Sequence, residues 1–418
     1  MNKEEKKILI VGSSAKEYAL AKYFVENSKA DKVYVAPGNV AVEEYAERVD
    51  IRETAVSELL EFAIKNEITL TVVTSDDAIR ADIVGDFKEN SQPVFAPSAG
   101  ASNFITSRAA AKKFLYRMHI PTAKFGIFEK QQLAIDYIKN ENFPLLITTD
   151  KNSETDVRAV CSTIPLAVTC INDIFLRNEN KVVIEEFLYG HQFTLYVITD
   201  GYLAIPIAAV GDYKFQEDGD GGLFTLGSGA YLPDYKVSLD VIDNMMEYVV
   251  NPIMLNLQKK QKPYCGVMGI ECVLNKDSKP SVIGFTPFFK DHDTQAVLNS
   301  LNIDLYDVMI ACINGSFADD YSEIPLNEKS ILSCVLSARN GGSVITGLEL
   351  VDDTTDISYF NTGKNNYFET LTNKGRTLVV TQSAATFSRA RELLYDNIAD
   401  IYFDGKKYRR DICIDVSD

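Results

Sequence analysis

The chain has 418 residues, is 46% hydrophobic and carries a formal net charge of −17. That is enough for two to four domains with a substantial core, and it excludes a basic nucleic-acid surface or one built for anionic membranes. A charged start and the lack of any apolar run of membrane length point to a cytoplasmic protein, while seven scattered cysteines without a C-x-x-C pair read as reduced, mostly buried thiols.

In chain order, Ile8–Val11 is an apolar strand that ends in Gly12-Ser13-Ser14 and passes into a helix, whose unpaired N–H groups form a natural place for a phosphate. Further short strands at Lys32–Val35, Leu70–Thr74 and Pro93–Phe95 alternate with amphipathic helices, so residues 1–103 read as a Rossmann-like unit with a parallel sheet. The helix from Ser107 to Leu115 opens a strand-richer region over 104–328, and residues 329–418 carry strands at Ile331–Leu336 and Thr377–Thr381 and a helix near Ser388–Ile398, a last compact domain. The expected class is α/β. The three histidines, His119, His191 and His292, lack metal-ligand spacing, so no zinc site is expected.

Several ordered segments share a pattern with one family. Gly12-Ser13-Ser14-Ala15-Lys16-Glu17-Tyr18-Ala19 is similar to its G-x-G-G-R-E-H-A, and Val35-Ala36-Pro37-Gly38-Asn39 to its V-A-P-G-N. Val183-Ile184-Glu185-Glu186-Phe187-Leu188 matches V-I-E-E-F-L, Asp291-His292-Asp293-Thr294-Gln295 matches D-P-E-T-Q, and Tyr408-Arg409-Arg410-Asp411-Ile412 matches Y-R-x-D-I. Through these motifs the chain resembles glycinamide ribonucleotide synthetase, the phosphoribosylamine–glycine ligase of purine synthesis. The resemblance implies a Rossmann-like N-terminal domain, a central ATP-grasp region with a lid at about 122–188 and a small C-terminal domain. It also implies ATP and magnesium as cofactors, with glycine activated as an acyl phosphate that the amine of phosphoribosylamine then attacks. The matched substrate-binding positions are Gly12, Glu17, Pro37, Gly38, Asn39, Asp212, Lys214, Asp291 and Thr294; the matched nucleotide positions are Arg108 and the hinge Glu185, Glu186, Phe187 and Leu188.

The departures fall on groups that contact phosphate and metal. Where the family's lid reads I-K-A-D-G-L-A-A-G-K-G-V, this chain has Thr148 and Asp156 for the two lysines and no glycine, and Asp150, Glu154 and Asp156 make the loop acidic. Lys151 and Arg158 are not expected to compensate. Where the family reads V-I-E-F-N-x-R-F-G-D, Gly284 replaces the magnesium glutamate, Thr286 the asparagine ligand and Phe288 the arginine. Glu271 is a conceivable replacement ligand, but it reads more simply as a solvent-facing strand residue. The expectation is therefore a divergent, non-catalytic member with a binding or interaction role, no catalytic residue, no metal ligand and no magnesium-dependent ATP binding. Its rivals are an active ligase with relocated ligands and an ATP-grasp enzyme with a changed acceptor. A small-molecule ligand or a protein partner is expected, with no nucleic acid, no membrane and a monomeric state.

Overall fold

The computed structural model describes residues 5–151, 157–177 and 179–416. Glu154 and Asp156, read above as an acidic loop, lie outside them.

The N-terminal part is a five-stranded parallel sheet in the order β3-β2-β1-β4-β5, made of β1 (Lys7–Gly12), β2 (Lys32–Pro37), β3 (Glu47–Arg48), β4 (Leu70–Val73) and β5 (Val94–Phe95). Its central strands are apolar on both faces because helices cover both, as a parallel sheet requires. One face, with Leu9, Val11, Ala36 and Val73, packs under the helices at 56–65 and 83–89. The other, with Ile8, Ile10, Val33 and Val35, belongs to a core that continues into the helices Asp291–Ser300 and Leu305–Asn314. That shared core fixes the N-terminal part against the centre of the molecule.

The lid is a separate antiparallel sheet of order β6-β9-β7-β8, from β6 (Phe125–Phe128), β7 (Leu145–Thr149), β8 (Arg158–Cys161) and β9 (Val182–Glu186), with its own small core under the helices Gln131–Ile138 and Ile164–Leu176. The central sheet runs through β10 (His191–Thr199), β11 (Ala204–Glu217), β12 (Gly221–Leu232), β13 (Gly266–Leu274) and β14 (Pro280–Thr286).

The last part also contributes to that sheet. β15 (Ser330–Ala338) pairs with β12 over Gly229–Leu232, and β16 (Thr355–Tyr359) and β19 (Gly375–Ala384) extend the same sheet. The hairpin β17 (Gly363–Lys364) and β18 (Thr370–Leu371) stands apart, while β20 (Lys406–Lys407) joins β15. The C-terminal region thus has its own core under the helix Phe387–Asp400, yet it hydrogen-bonds directly to the central region. The physical reason is the edge of β12, whose open backbone groups are satisfied by β15.

All seven cysteines are buried and none forms a disulfide. Among the described residues no helix is long and apolar enough to cross a membrane.

Candidate functional site

A cleft of about 470 Å3 lies where the three parts meet. Eight of its lining side chains are basic and six acidic, a local positive balance in a strongly acidic chain.

One end is built by the turn after β1. Ser14 caps the first helix (Ala15–Glu26), and Glu17 closes a capping box by accepting from the Ser14 N–H at 2.5 Å. Thr74 donates to the same carboxylate. Gly12 is required here because a Cβ would stand 2.2 Å from Glu17 Oε1 and 2.5 Å from Thr74 Oγ1. The helix start holds an anion, and that anion is internal: Asp291 accepts from Ser14 Oγ, from the Lys16 N–H at 3.3 Å and from Arg376 at 3.0 Å. Burial raises the Asp291 pKa, but Arg376 and Lys16 outweigh it and hold the carboxyl below its ordinary value. The phosphate position read from the sequence is thus filled by a carboxylate from the helix Asp291–Ser300. Burial pushes the Asp76 carboxyl up on the same wall.

Pro37, Gly38 and Asn39 do not line the cleft. Asn39 is buried and donates to Tyr359 O at 2.9 Å, tying the N-terminal turn to β16, while its Oδ1 caps Ala41 N–H at 2.9 Å. Thr294 is also buried, its hydroxyl donating to Lys290 O within the helix.

The floor is the opposite end. Along β13, Met268, Ile270, Cys272 and Leu274 bury in the core beneath, so the two-residue period turns Glu271 to the other face. Glu271 is not solvent-facing, which corrects the sequence reading: its side chain is 16% exposed, lines the cleft and accepts from Lys214 at 2.6 Å. Gly284 is its direct cross-strand partner, and a Cβ at 284 would lie 3.4 Å from Glu271 Oε1. Lys214 also pairs with Asp212 at 2.9 Å. Lys290 then joins Asp212, Asp293 at 3.3 Å and Thr194 Oγ1 at 2.8 Å. The result is a ladder of alternating charge, Glu271, Lys214, Asp212, Lys290 and Asp293, running from the cleft into the core.

His292 fills the space behind this ladder. Its Nε2 lies 2.9 Å from the second oxygen of Asp212, and its ring packs where a Cβ on Gly227 would fall, 1.9 Å away. Burial raises the Asp212 pKa, yet Lys214, Lys290 and His292 hold it well below the carboxylate range. Burial also opposes ionisation of Glu271, but Lys214 and Lys290 bring it down to about 2. Thr286, at the lost asparagine position, lines the cleft and donates to Phe288 O at 2.9 Å. Among the described residues there is no group of three or more His, Cys, Asp or Glu that could hold a metal.

The four hinge residues do not line the cleft, and Glu186 is exposed. Glu185 is buried between Lys112, 2.5 Å away and itself fully buried, and Arg108 Nε at 3.4 Å. The Glu186 and Phe187 N–H groups donate to Lys124 O at 2.9 Å and Pro144 O at 3.3 Å, and Leu188 is half-buried. Arg108 does line the cleft, as do Lys151 and Arg158, so two lid cations reach it although Thr148 is buried.

Of the residues matched by resemblance, then, Gly12, Glu17, Arg108, Lys214 and Asp291 line one cleft, and Asp212 stands directly behind Lys214. Sequence reasoning missed Lys290 and His292. Their signal was present in the K-D-H-D-T-Q segment, where a lysine and a histidine stand at positions that the family pattern gives to glycine and proline.

Comparison with known proteins decides the family. Residues 6–104, 106–294 and 337–415 match, in turn, the N domain, the ATP-grasp (A) domain and the C domain of phosphoribosylglycinamide synthetase. A phosphoribosylamine–glycine ligase of Neisseria meningitidis is 31% identical over 419 residues, covering 97% of this chain and 98% of the relative. The chain belongs to the phosphoribosylamine–glycine ligase family. The fold of the family's Thermotoga maritima ligase superposes with a TM-score of 0.79 at 21% identity, covering 97% of this chain and 99% of that one. The biotin carboxylase domain of a Hydrogenobacter thermophilus 2-oxoglutarate carboxylase shares the fold at a TM-score of 0.70 and 12% identity, covering 97% and 92%, and its structure contains MgADP.

Proposed function

We propose that this member of the purine-biosynthetic ligase family is catalytically degenerate and serves as a binding protein for a small anionic molecule. The observation that carries the reading is the ion pair between Glu271 and Lys214 on the cleft floor. Phosphoryl transfer between ATP and a carboxylate depends on cations placed between the phosphates, held in the family by an acidic residue and an asparagine. Here Gly284 has no side chain, Thr286 gives its proton to Phe288 O, and Glu271, the carboxylate across from Gly284, is already paired with an ammonium group. Like charges about 4 Å apart repel by about 4 kcal/mol at an effective dielectric of about 20, and a divalent ion doubles that against Lys214. The residues present therefore do not fit a magnesium pair.

What the chain's own residues can do is bind and orient. Asp291 and Arg376 hold the first helix against the C-terminal region, Lys290 fixes Asp212, and Asp212 with Glu271 positions the Lys214 ammonium at the cleft. The test is incubation of the full chain with ATP, magnesium, glycine and phosphoribosylamine. ADP release should stay at the level of the protein-free control, and turnover on the order of 1 per second, usual for metabolic enzymes, would overturn the reading.

One observation favours a working ligase as the second reading. Glu271 sits directly across from Gly284, with its carboxylate next to the volume that a glutamate at 284 would enter. On that reading the ligand has moved one strand sideways, and the double change Glu271→Gly with Gly284→Glu would keep activity that Glu271→Gly alone abolishes.

A further inference from the structure

We propose that Lys214 takes the place of a metal bridge, so that the cleft binds an organic phosphate directly on protein cations and without a divalent ion. The inference rests on the non-catalytic reading and adds to it the ligand class and the mode of binding.

Three cations with unused donors line the cleft. An ammonium has three N–H groups; Lys214 directs two of them at Asp212 and Glu271, and no further acceptor for it exists among the described residues. Arg108 bonds Glu185 through Nε, and its terminal amino groups have no acceptor among the described residues. Lys16 is half-buried in the first turn of the first helix and has no ion pair within 4 Å among the described residues. Lys290 is different. Its ammonium is saturated by Thr194, Asp212 and Asp293, so it is a positioning residue that holds Asp212 and, through it, Lys214.

The arrangement discriminates by charge type. A magnesium-bound phosphate would bring its metal against Lys214, whereas a bare phosphate ester meets ammonium and guanidinium donors that form short charge-assisted hydrogen bonds. The positive balance of the lining inside an acidic protein favours the same ligand. A cleft of about 470 Å3 holds a molecule the size of a sugar phosphate or a nucleotide.

The experiment is calorimetric titration of ADP and of ribose 5-phosphate into the full chain, once in excess EDTA and once in excess magnesium chloride. At least one of the two should bind in EDTA; magnesium should not strengthen that binding and should weaken that of ADP, which it chelates, and Lys214→Gln should weaken binding in EDTA by at least about tenfold. Binding that requires magnesium would overturn both this proposal and the non-catalytic reading. No binding of either probe in either buffer would overturn the proposal and leave the non-catalytic reading standing. Unchanged affinity in a Lys214→Gln protein that melts like the parent would overturn the role of Lys214. Should that variant fail to fold, the comparison of the two buffers on the unaltered chain decides by itself.

Discussion

The two ends of the cleft have kept family residues in different ways. At the N-terminal end Gly12, Glu17 and Asp291 match the family pattern and meet at the start of the first helix, where Glu17 and Asp291 accept from Ser14 and Gly12 leaves room for Glu17, so their survival serves folding. At the floor, Asp212 and Lys214 also match, but they are joined by Glu271, Lys290 and His292, which do not. A matched residue is therefore not the same as a preserved site. What it contacts decides which of the two it is.

The largest effect that could break this comparison should come from the floor. Lys290→Met leaves Asp212 and Asp293 buried with one fewer counter-charge, and removing one partner of a buried pair costs about 3–5 kcal/mol. Denaturant unfolding should show that loss, and the double change with Asp293→Asn should recover part of it. A loss below about 1 kcal/mol, as at an exposed pair, would mean that the ladder is a surface feature.

Gly227→Ala is next. A Cβ there meets the His292 ring, and overpacking of this kind costs about 1–3 kcal/mol. Paired with His292→Ala the cost of the glycine change should shrink, because the clashing ring is gone; full additivity would show that His292 does not press on Gly227.

At the N-terminal end the change Asn39→Ala removes the hydrogen bond to Tyr359 O and the cap on Ala41, for about 1–2 kcal/mol in thermal or denaturant melts. It should not alter ligand affinity in the cleft. A tenfold loss of affinity without a change in stability would return Asn39 to the binding site.

The smallest effect is on pH dependence. The folded-state pKa of Glu271 is depressed from 4.5 to about 2. Its contribution to stability is therefore complete above the unfolded value and is lost as pH falls from about 4.5 towards about 2. Glu271→Gln should flatten that part of the stability profile. An identical profile in parent and variant would contradict the ion pair with Lys214.

The α/β class and the N-terminal parallel sheet were legible because Ile8–Val11 and Leu70–Thr74 are apolar runs bounded by turn residues, and the family was legible from ordered motifs such as Val35-Ala36-Pro37-Gly38-Asn39. The floor was not, since it depends on register. Glu271 and Gly284 become neighbours only through the pairing of β13 with β14, and strand alternation places Glu271 on one face without saying which face is wet. Lys290 and His292 escaped for a related reason: read position by position against the family pattern they are losses, and only their contacts with Asp212 make them gains. Continuity of the C-terminal strands with the central sheet likewise depends on the pairing of Gly229–Leu232 with Ile331–Cys334, about a hundred residues apart.

The account stands on the claim that lysine has displaced metal on the cleft floor. Its most direct test is a manganese titration of the full chain with ATP present, followed by electron paramagnetic resonance, with manganese standing in for magnesium. The account predicts signals of free and ATP-bound ion only, with none from protein-bound manganese. A protein-bound manganese signal that disappears in Glu271→Ala would contradict it.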